Sequence, residues 1–406
     1  MDIEKLNALK EKIGEFPQIG YEGHWSGMKF RENILEDSLV RHVLGLSYYQ
    51  MSDVGEVFET LCKIKDDGEE WINAWSQIAE KLQKRAEKAE NEEKKVSASS
   101  IYLRASTYWR VSLMYFNSVG DERIKEYSKN SFDCYEKYLK LSSYPGHYLE
   151  IPYEDGFLPA HFYKSKNADR KAPILILTPG RDTWAEDTRW VYDAALKRGI
   201  HCLVYDGPGQ GFALRLNDLK FRPDIENVLS PIIDFVLDNF DEVDSGKIIS
   251  MGLSFGGFLV PRAAIYDDRI RITICDPGNI NWGEGFIPRL EVIKQIPKDV
   301  RPPQLDFLLQ DYVYKHGVSE DEIIDELKKF DNSSIIDKLE SLTIVLDGSS
   351  EINKGEAKKF FDILNCPKEY LLFDENSSAQ MHCQMGGYAT AAEYIFDLLE
   401  EKLKDI

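Results

Sequence analysis

The sequence predicts an α/β protein in which a mostly parallel, doubly wound sheet follows an all-helical region. From about Ile34 to Leu141 apolar residues recur at spacings of three and four, as in Trp71, Ala74, Trp75, Ile78 and Leu82, and again in Tyr102, Ala105, Tyr108, Val111 and Tyr115. After Tyr144-Pro145-Gly146 the period changes to short β-branched and aliphatic runs that alternate with helical stretches. With 406 residues, 43% hydrophobic and 30% charged, the chain can bury a sizeable core and has the length of two domains, or of one large domain with a cap.

The elements follow in order. Residues 1–145 are expected to form the helical cap, with the charge run Lys84 to Lys95 as a solvated helix end or a connection between helices. Residues 146–406 carry eight strand-like runs: His147 to Tyr153, Leu158 to Tyr163, Ile174 to Thr178, Cys202 to Tyr205, Lys247 to Met251, Ile270 to Cys275, Leu342 to Leu346 and Tyr370 to Phe373. Helical stretches at Ala185 to Arg198, Asp224 to Phe240 and Gly355 to Leu364 lie between them, so the later strands should be mostly parallel. The segment at about 279–336 breaks this rhythm. It reads as an insertion, helical in its second half (Ser319 to Phe330), that joins the N-terminal helices as a lid. The sequence holds no internal repeat and no low-complexity tract.

Fifty Lys and Arg against 70 Asp and Glu leave a formal charge of −20, which argues against nucleic acid or an anionic membrane as partner. Met1-Asp2-Ile3-Glu4-Lys5 is charged from its second residue and lacks the apolar stretch of a secretory signal, so a cytoplasmic protein is expected. The apolar run Ala172 to Leu177 is far shorter than the roughly 20 residues that span a bilayer. Cys62, Cys134, Cys202, Cys275, Cys366 and Cys383 are scattered without a C-x-x-C pair and are expected to be reduced thiols.

The chemistry concentrates in Gly252-Leu253-Ser254-Phe255-Gly256-Gly257, a G-x-S-x-G run between the strand Lys247 to Met251 and a helical run Phe258 to Tyr266. In that context small residues permit the strained turn that presents a serine hydroxyl, which makes Ser254 the candidate nucleophile. A serine hydroxyl needs an imidazole to take its proton, and the histidine comes late in such chains. Of seven histidines only His382 lies beyond the last strand, whereas His201 at a strand start reads as structural. Three carboxylates could orient it: Asp347, Asp276 and Glu351. Glu351 is favoured, because a turn-like Gly-Ser-Ser segment can aim it at the imidazole.

Backbone N–H groups of Phe255 and Arg181 are the expected oxyanion donors, the second in the loop Thr178-Pro179-Gly180-Arg181-Asp182. The Arg181 side chain is expected to be solvated or paired with Asp182 or Glu186. Asp206-Gly207-Pro208-Gly209-Gln210-Gly211 follows a strand but lacks both the G-x-G-x-x-G spacing and a Walker lysine, so it reads as a tight turn in a pocket wall rather than a phosphate loop. The aromatic residues Trp71, Trp75, Tyr102, Tyr108 and Trp109 read as helix core before they read as a substrate pocket.

From about His42 to the C-terminus the chain resembles the α/β-hydrolase family with an N-terminal helical cap that includes 2,6-dihydroxypseudooxynicotine hydrolase and hydrolases that shorten fungal and bacterial polyketides. The shared segments are YLRASTYW (Tyr102 to Trp109), DGPGQG (Asp206 to Gly211), FRPDIENV (Phe221 to Val228), GLSFGGFLVPRAA (Gly252 to Ala264), DPG (Asp276 to Gly278) and HCQMGG (His382 to Gly387). The resemblance implies an eight-stranded α/β-hydrolase fold, Ser254 as nucleophile, His382 as base and the acid at position 351. There the sequence departs from the family, whose usual residue is aspartate. Pro179 also stands where a second glycine is common.

What the resemblance implies is a cofactor-free, metal-free serine hydrolase that cleaves a carbon–carbon bond beside a carbonyl, a retro-Claisen step on a polyketide-like or aryl diketone substrate. The alternative is a carboxylesterase, thioesterase or acyl-peptidase acting on a small acyl group; a more remote one is an inactive hydrolase-fold binding protein. A homodimer is considered, although no helix stands out as left over to mediate one.

Overall fold

Among the N-terminal helices, α1 (Ile34–Gly45), α2 (Val54–Leu61) and α5 (Glu122–Leu141) begin at Asn33, Asp53 and Asp121, whose side chains accept first-turn N–H groups. Between them α3 (Gly68–Asn91) and α4 (Lys95–Ser112) lie against one another with their aromatic faces inward. Trp71, Trp75 and Tyr108 are fully buried, and Trp75 meets Tyr108 with ring centroids 5.4 Å apart. These aromatics are core, as their spacing predicts. Lys84, Lys88 and Lys95 are exposed along the end of α3 and the turn into α4. This computed structural model describes residues 24–65, 68–116 and 121–406, so the charged N-terminus Met1 to Lys5 lies outside the described residues.

All eight predicted strands form: β1 (Gly146–Tyr153), β2 (Gly156–Tyr163), β3 (Ala172–Thr178), β4 (His201–Tyr205), β5 (Val243–Leu253), β6 (Ile270–Asp276), β7 (Leu342–Gly348) and β8 (Lys368–Phe373). They make one sheet in the order β1-β2-β4-β3-β5-β6-β7-β8. The β1–β2 and β2–β4 pairs are antiparallel and every later pair is parallel. The order turns back at β3, so chain leaving β3 and β5 emerges side by side at the sheet's carboxyl edge.

Because successive strand residues face opposite sides, Leu175 and Leu177 of β3 pack into one core and Ile174 and Ile176 into the other. The first core is covered by α6 (Arg189–Lys197) and by α14 (Tyr388–Lys402), and it continues without a break into the N-terminal helices. The second lies under α8 (Glu226–Asn239), α9 (Phe255–Tyr266) and α13 (Glu356–Ile363). The short α7 (Gly211–Arg215) follows the turn after β4. His201 is buried at the start of β4, where its Nδ1 accepts the Ser165 N–H at 3.1 Å.

The insertion differs from expectation. Its long helices are α10 (Trp282–Lys294) and α11 (Pro303–His316), in the first part of the segment, while the expected helix at Ser319 to Phe330 shrinks to α12 (Ile323–Leu327). Prolines mask the pattern. Pro288 sits inside α10 and normally breaks a helix, but burial of Trp282, Leu290 and Ile293 along one face holds that helix together. The insertion does meet the N-terminal helical region: the Phe307 and Tyr115 rings lie 4.9 Å apart. Among the described residues all six cysteines are free thiols, and no helix is long and apolar enough to cross a membrane.

Candidate active site

Strand β5 runs directly into Ser254, which has φ 54° and ψ −116°, and α9 begins at the next residue. A non-glycine residue at positive φ stores strain, and two neighbouring glycines make the turn possible. A Cβ on Gly252 would stand 2.1 Å from the Gly256 carbonyl oxygen, and one on Gly256 would stand 2.4 Å from the Thr178 carbonyl oxygen. The turn is tied from below by the Ser254 N–H, which donates to the Asp276 carbonyl.

His382 lies in a short turn (His382–Gln384) between β8 and α14. Its Nε2 is 2.9 Å from Ser254 Oγ, and its Nδ1 is 2.7 and 2.9 Å from the two oxygens of Glu351. The structure thus brings the three expected residues into one hydrogen-bonded chain, hydroxyl to imidazole to carboxylate. Glu351 is buried and also accepts the Ile352 N–H at 2.9 Å. The loops that carry acid and histidine are laced together, since the Ser350 N–H donates to the Gln380 carbonyl and a Cβ on Gly348 would stand 2.4 Å from that same oxygen.

The other two carboxylates are engaged elsewhere. Asp347 accepts the Tyr370 hydroxyl at 2.6 Å and the Gly348 N–H at 2.8 Å. Asp276 accepts from the Gln384 side chain at 2.9 Å and leaves its second oxygen without a protein partner. Burial pushes the Asp276 carboxyl up to about 7, against the opposing effects of Gln384 and His382. For His382, burial disfavours the imidazolium, but Cys383 and Glu351 favour it and prevail, so its pKa stands well above the ordinary histidine value. The Cys383 thiol is itself pushed up to about 12 by burial, hence neutral, so Glu351 supplies the charge that holds the imidazolium.

The loop after β3 passes beside Ser254: a Cβ on Gly180 would stand 3.0 Å from the Ser254 Cβ. The Gly180 N–H is spent on Thr183 Oγ1 at 3.1 Å; Arg181 is the next residue of this loop, and Phe255 opens α9 directly after Ser254. The turn Asp206 to Gly211 braces this loop. Asp206 accepts the Ala185 and Phe212 N–H groups, and the Gln210 amide donates to the carbonyls of Pro179 and Gly180 at 2.5 and 3.3 Å. The turn was legible from the sequence; the role of Gln210 as a strut was not, although it lies inside the DGPGQG segment.

The Arg181 side chain meets one of its expected outcomes, pairing with Asp182, and departs from the other two. It is buried rather than solvated, it does not pair with Glu186, and besides Asp182 at 3.2 Å it bonds Asp311 of α11 at 2.5 Å. Nothing in the sequence marks Asp311. Two concavities of about 380 and 420 Å³ flank α5, walled by residues such as Phe132, Phe157 and Phe212 in one and Tyr102, Asp133 and Lys137 in the other, and neither is lined by Ser254, Glu351 or His382. Among the described residues no group of three or more His, Cys, Asp or Glu side chains could hold a metal ion.

Residues 24–298 match the family described as Esterase FrsA-like. Among curated proteins, the chain is 38% identical over 246 residues to the 20-hydroxy-prefusarin hydrolase FUS2 of Gibberella moniliformis (strain M3125 / FGSC 7600), covering 58% of each chain. It is 33% identical over 266 residues to the alpha/beta hydrolase xenA of Xenoacremonium sinensis, covering 62% of each. The alignments thus span about three fifths of the length of these relatives. Among solved structures, 2,6-dihydroxy-pseudo-oxynicotine hydrolase superposes with a TM-score of 0.70 at 16% identity, covering 88% of this chain and 95% of that one. The wild-type AbyA5 structure superposes with a TM-score of 0.61 at 16% identity, covering 85% of this chain and 88% of that one. At that identity the likeness is one of fold.

Proposed function

Because the chain belongs to the FrsA-like esterase family and is an α/β-hydrolase enzyme, we propose that it is a serine hydrolase whose triad is Ser254, His382 and Glu351. The observation that carries this reading is the unbroken hydrogen-bonded chain from Ser254 Oγ through the imidazole to Glu351. Ser254 Oγ attacks a substrate carbonyl carbon while His382 Nε2 takes its proton, and Glu351 holds the imidazole in the right tautomer and stabilises the imidazolium. The carbonyl oxygen becomes an oxyanion received by the N–H groups of Phe255 and Arg181. The helices that end at Leu141 and the insertion of α10 to α12 serve as the cap over this site.

The bond broken is a carbon–carbon bond beside the carbonyl. When the tetrahedral intermediate collapses, the carbon leaves as an enolate and takes the proton from His382; water then attacks the acyl-enzyme with His382 as base. The resemblance to polyketide-shortening hydrolases supports this reading, as does a relative named for 20-hydroxy-prefusarin, which points to a small organic substrate. A second reading, a carboxylesterase or thioesterase with the same triad and an alkoxide or thiolate leaving group, is favoured by the family's description as an esterase.

The test is incubation of the protein and its Ser254→Ala variant with aryl β-diketones, polyketide-like thioesters and p-nitrophenyl esters, with products read by mass spectrometry. Serine-dependent diketone cleavage is the expected result. Cleavage of esters alone moves the assignment to an esterase. Diketone cleavage that survives Ser254→Ala removes the serine from the mechanism.

A further inference from the structure

Helix α11 of the insertion grips the loop after β3, and it does so with buried charges. Arg181 Nη2 donates to Asp311 Oδ2 at 2.5 Å, Lys315 Nζ lies 3.1 Å from Asp311 and also bonds Asp182, and the Arg181 guanidinium lies 3.9 Å above the Tyr312 ring. The side chains of Arg181, Asp311 and Lys315 are 7%, 6% and 2% exposed. Taking such charges out of water costs several kcal/mol per ion, and a buried ion pair commonly contributes no more to stability than apolar residues of the same volume. What the cluster does supply is directional geometry: Asp311 and Asp182 meet Arg181 and Lys315 through directed ion-pair contacts that tie the loop to α11.

That loop is the one beside Ser254. Gln210 holds the carbonyls of Pro179 and Gly180 from one side, while Asp311 and Lys315 hold the side chains of Arg181 and Asp182 from the other. The peptide between Gly180 and Arg181 is therefore clamped between the turn after β4 and the insertion.

We propose that Asp311 and Lys315 are positioning residues for the hydrolytic reaction, holding the Arg181 N–H where it meets the developing oxyanion; the inference rests on the oxyanion role given to that N–H above. The site is then complete only while α11 is docked on the loop. Without the clamp, substrate still binds and the Ser254–His382–Glu351 chain still forms, but one oxyanion donor is misplaced.

The test uses a fluorophosphonate, which needs no knowledge of the natural substrate. Ser254 Oγ bonds to phosphorus, fluoride leaves, the serine proton goes to His382, and the phosphoryl oxygen occupies the oxyanion position. The full-length protein and its Asp311→Asn and Lys315→Met variants are compared for maximal labelling rate, for half-saturating probe concentration and for the pH profile of labelling. Misplacing one oxyanion donor costs about 10²-fold in rate, so the maximal rate is expected to fall by about that factor in Asp311→Asn. A fall of roughly tenfold is expected in Lys315→Met, which leaves the Arg181–Asp311 pair in place.

The half-saturating concentration and the acid limb of the pH profile should stay where they are in the unsubstituted protein. If Asp311→Asn does not fold, Lys315→Met carries the test. An unchanged maximal rate in a folded variant overturns the proposal, and so does a loss accompanied by a moved acid limb, which would place the effect on His382. Failure of the unsubstituted protein to label at Ser254 overturns the underlying triad and the clamp with it, whereas normal labelling of both variants overturns the clamp alone.

Discussion

Glu351 is one methylene longer than the aspartate that the family resemblance implies at its position, and the loop after β7 accommodates the extra length: both carboxylate oxygens lie within 2.9 Å of His382 Nδ1. The sign of the electrostatic effect follows from this contact. Glu351 holds the imidazolium, so the His382 pKa lies above its ordinary value and the acid limb of kcat/KM should fall above about pH 6.5. In Glu351→Gln the burial that opposes the charge is left unbalanced, so the limb should move to lower pH while kcat drops by about 10³ to 10⁴-fold. A pH–rate profile of the variant checks both, and an unmoved limb would assign the orienting charge to another carboxylate. Asp276 cannot simply take over, because its second oxygen faces no donor and burial keeps it largely protonated below about pH 7.

At the scale of elements, the strand–turn–helix around Ser254 depends on the absence of side chains more than on their presence. Gly256→Ala places a methyl 2.4 Å from the Thr178 carbonyl, where backbone rather than a flexible side chain must give way. The expected outcome is a loss of about 1–3 kcal/mol in stability, measured by urea unfolding. Because the start of α9, next to Ser254, is pushed off the end of β3 at this point, a loss of activity larger than the loss of folded protein should accompany it. The strand runs were legible because fully buried parallel strands are written as short aliphatic runs, and β3 reads Ala172 to Thr178 almost without a polar residue. The insertion helices were less legible. Pro288 opposes helix continuity inside α10, where burial against neighbouring elements decides for the helix, whereas Pro302 and Pro303 stand at the very start of α11, a position that proline favours.

For the whole molecule, the N-terminal helices are more than an appended cap. Their core is continuous with one face of the sheet, Arg110 of α4 pairs with Asp187 at 2.8 Å in a buried position, and His42 Nδ1 lies 2.6 Å from the Tyr388 hydroxyl of α14. Trp25 reaches the histidine loop itself, where its indole N–H donates to Gln380. Arg110→Met leaves the Asp187 carboxylate buried and unpaired, which should cost about 3–5 kcal/mol, and the double variant Arg110→Met/Asp187→Leu should recover most of it. Unfolding should remain a single transition by both near- and far-ultraviolet circular dichroism. Two separated transitions would mean that the helices and the sheet fold as independent units.

What the sequence determined by itself is what local pattern encodes: the short aliphatic runs and the period-3.6 runs that become eight strands and the N-terminal helices, and the short G-x-S-x-G and HCQMGG segments that contain Ser254 and His382. Chain order narrowed the acid to a few carboxylates after two strands. Tertiary structure brings Glu351, already favoured for its turn-like Gly-Ser-Ser segment, to the imidazole and turns Asp276 and Asp347 toward other donors. It also decided the environment of Arg181, whose partner Asp311 lies 130 residues away. A contact across that separation leaves no periodicity in the chain, since it depends on how the insertion packs on the loop rather than on any property of either segment.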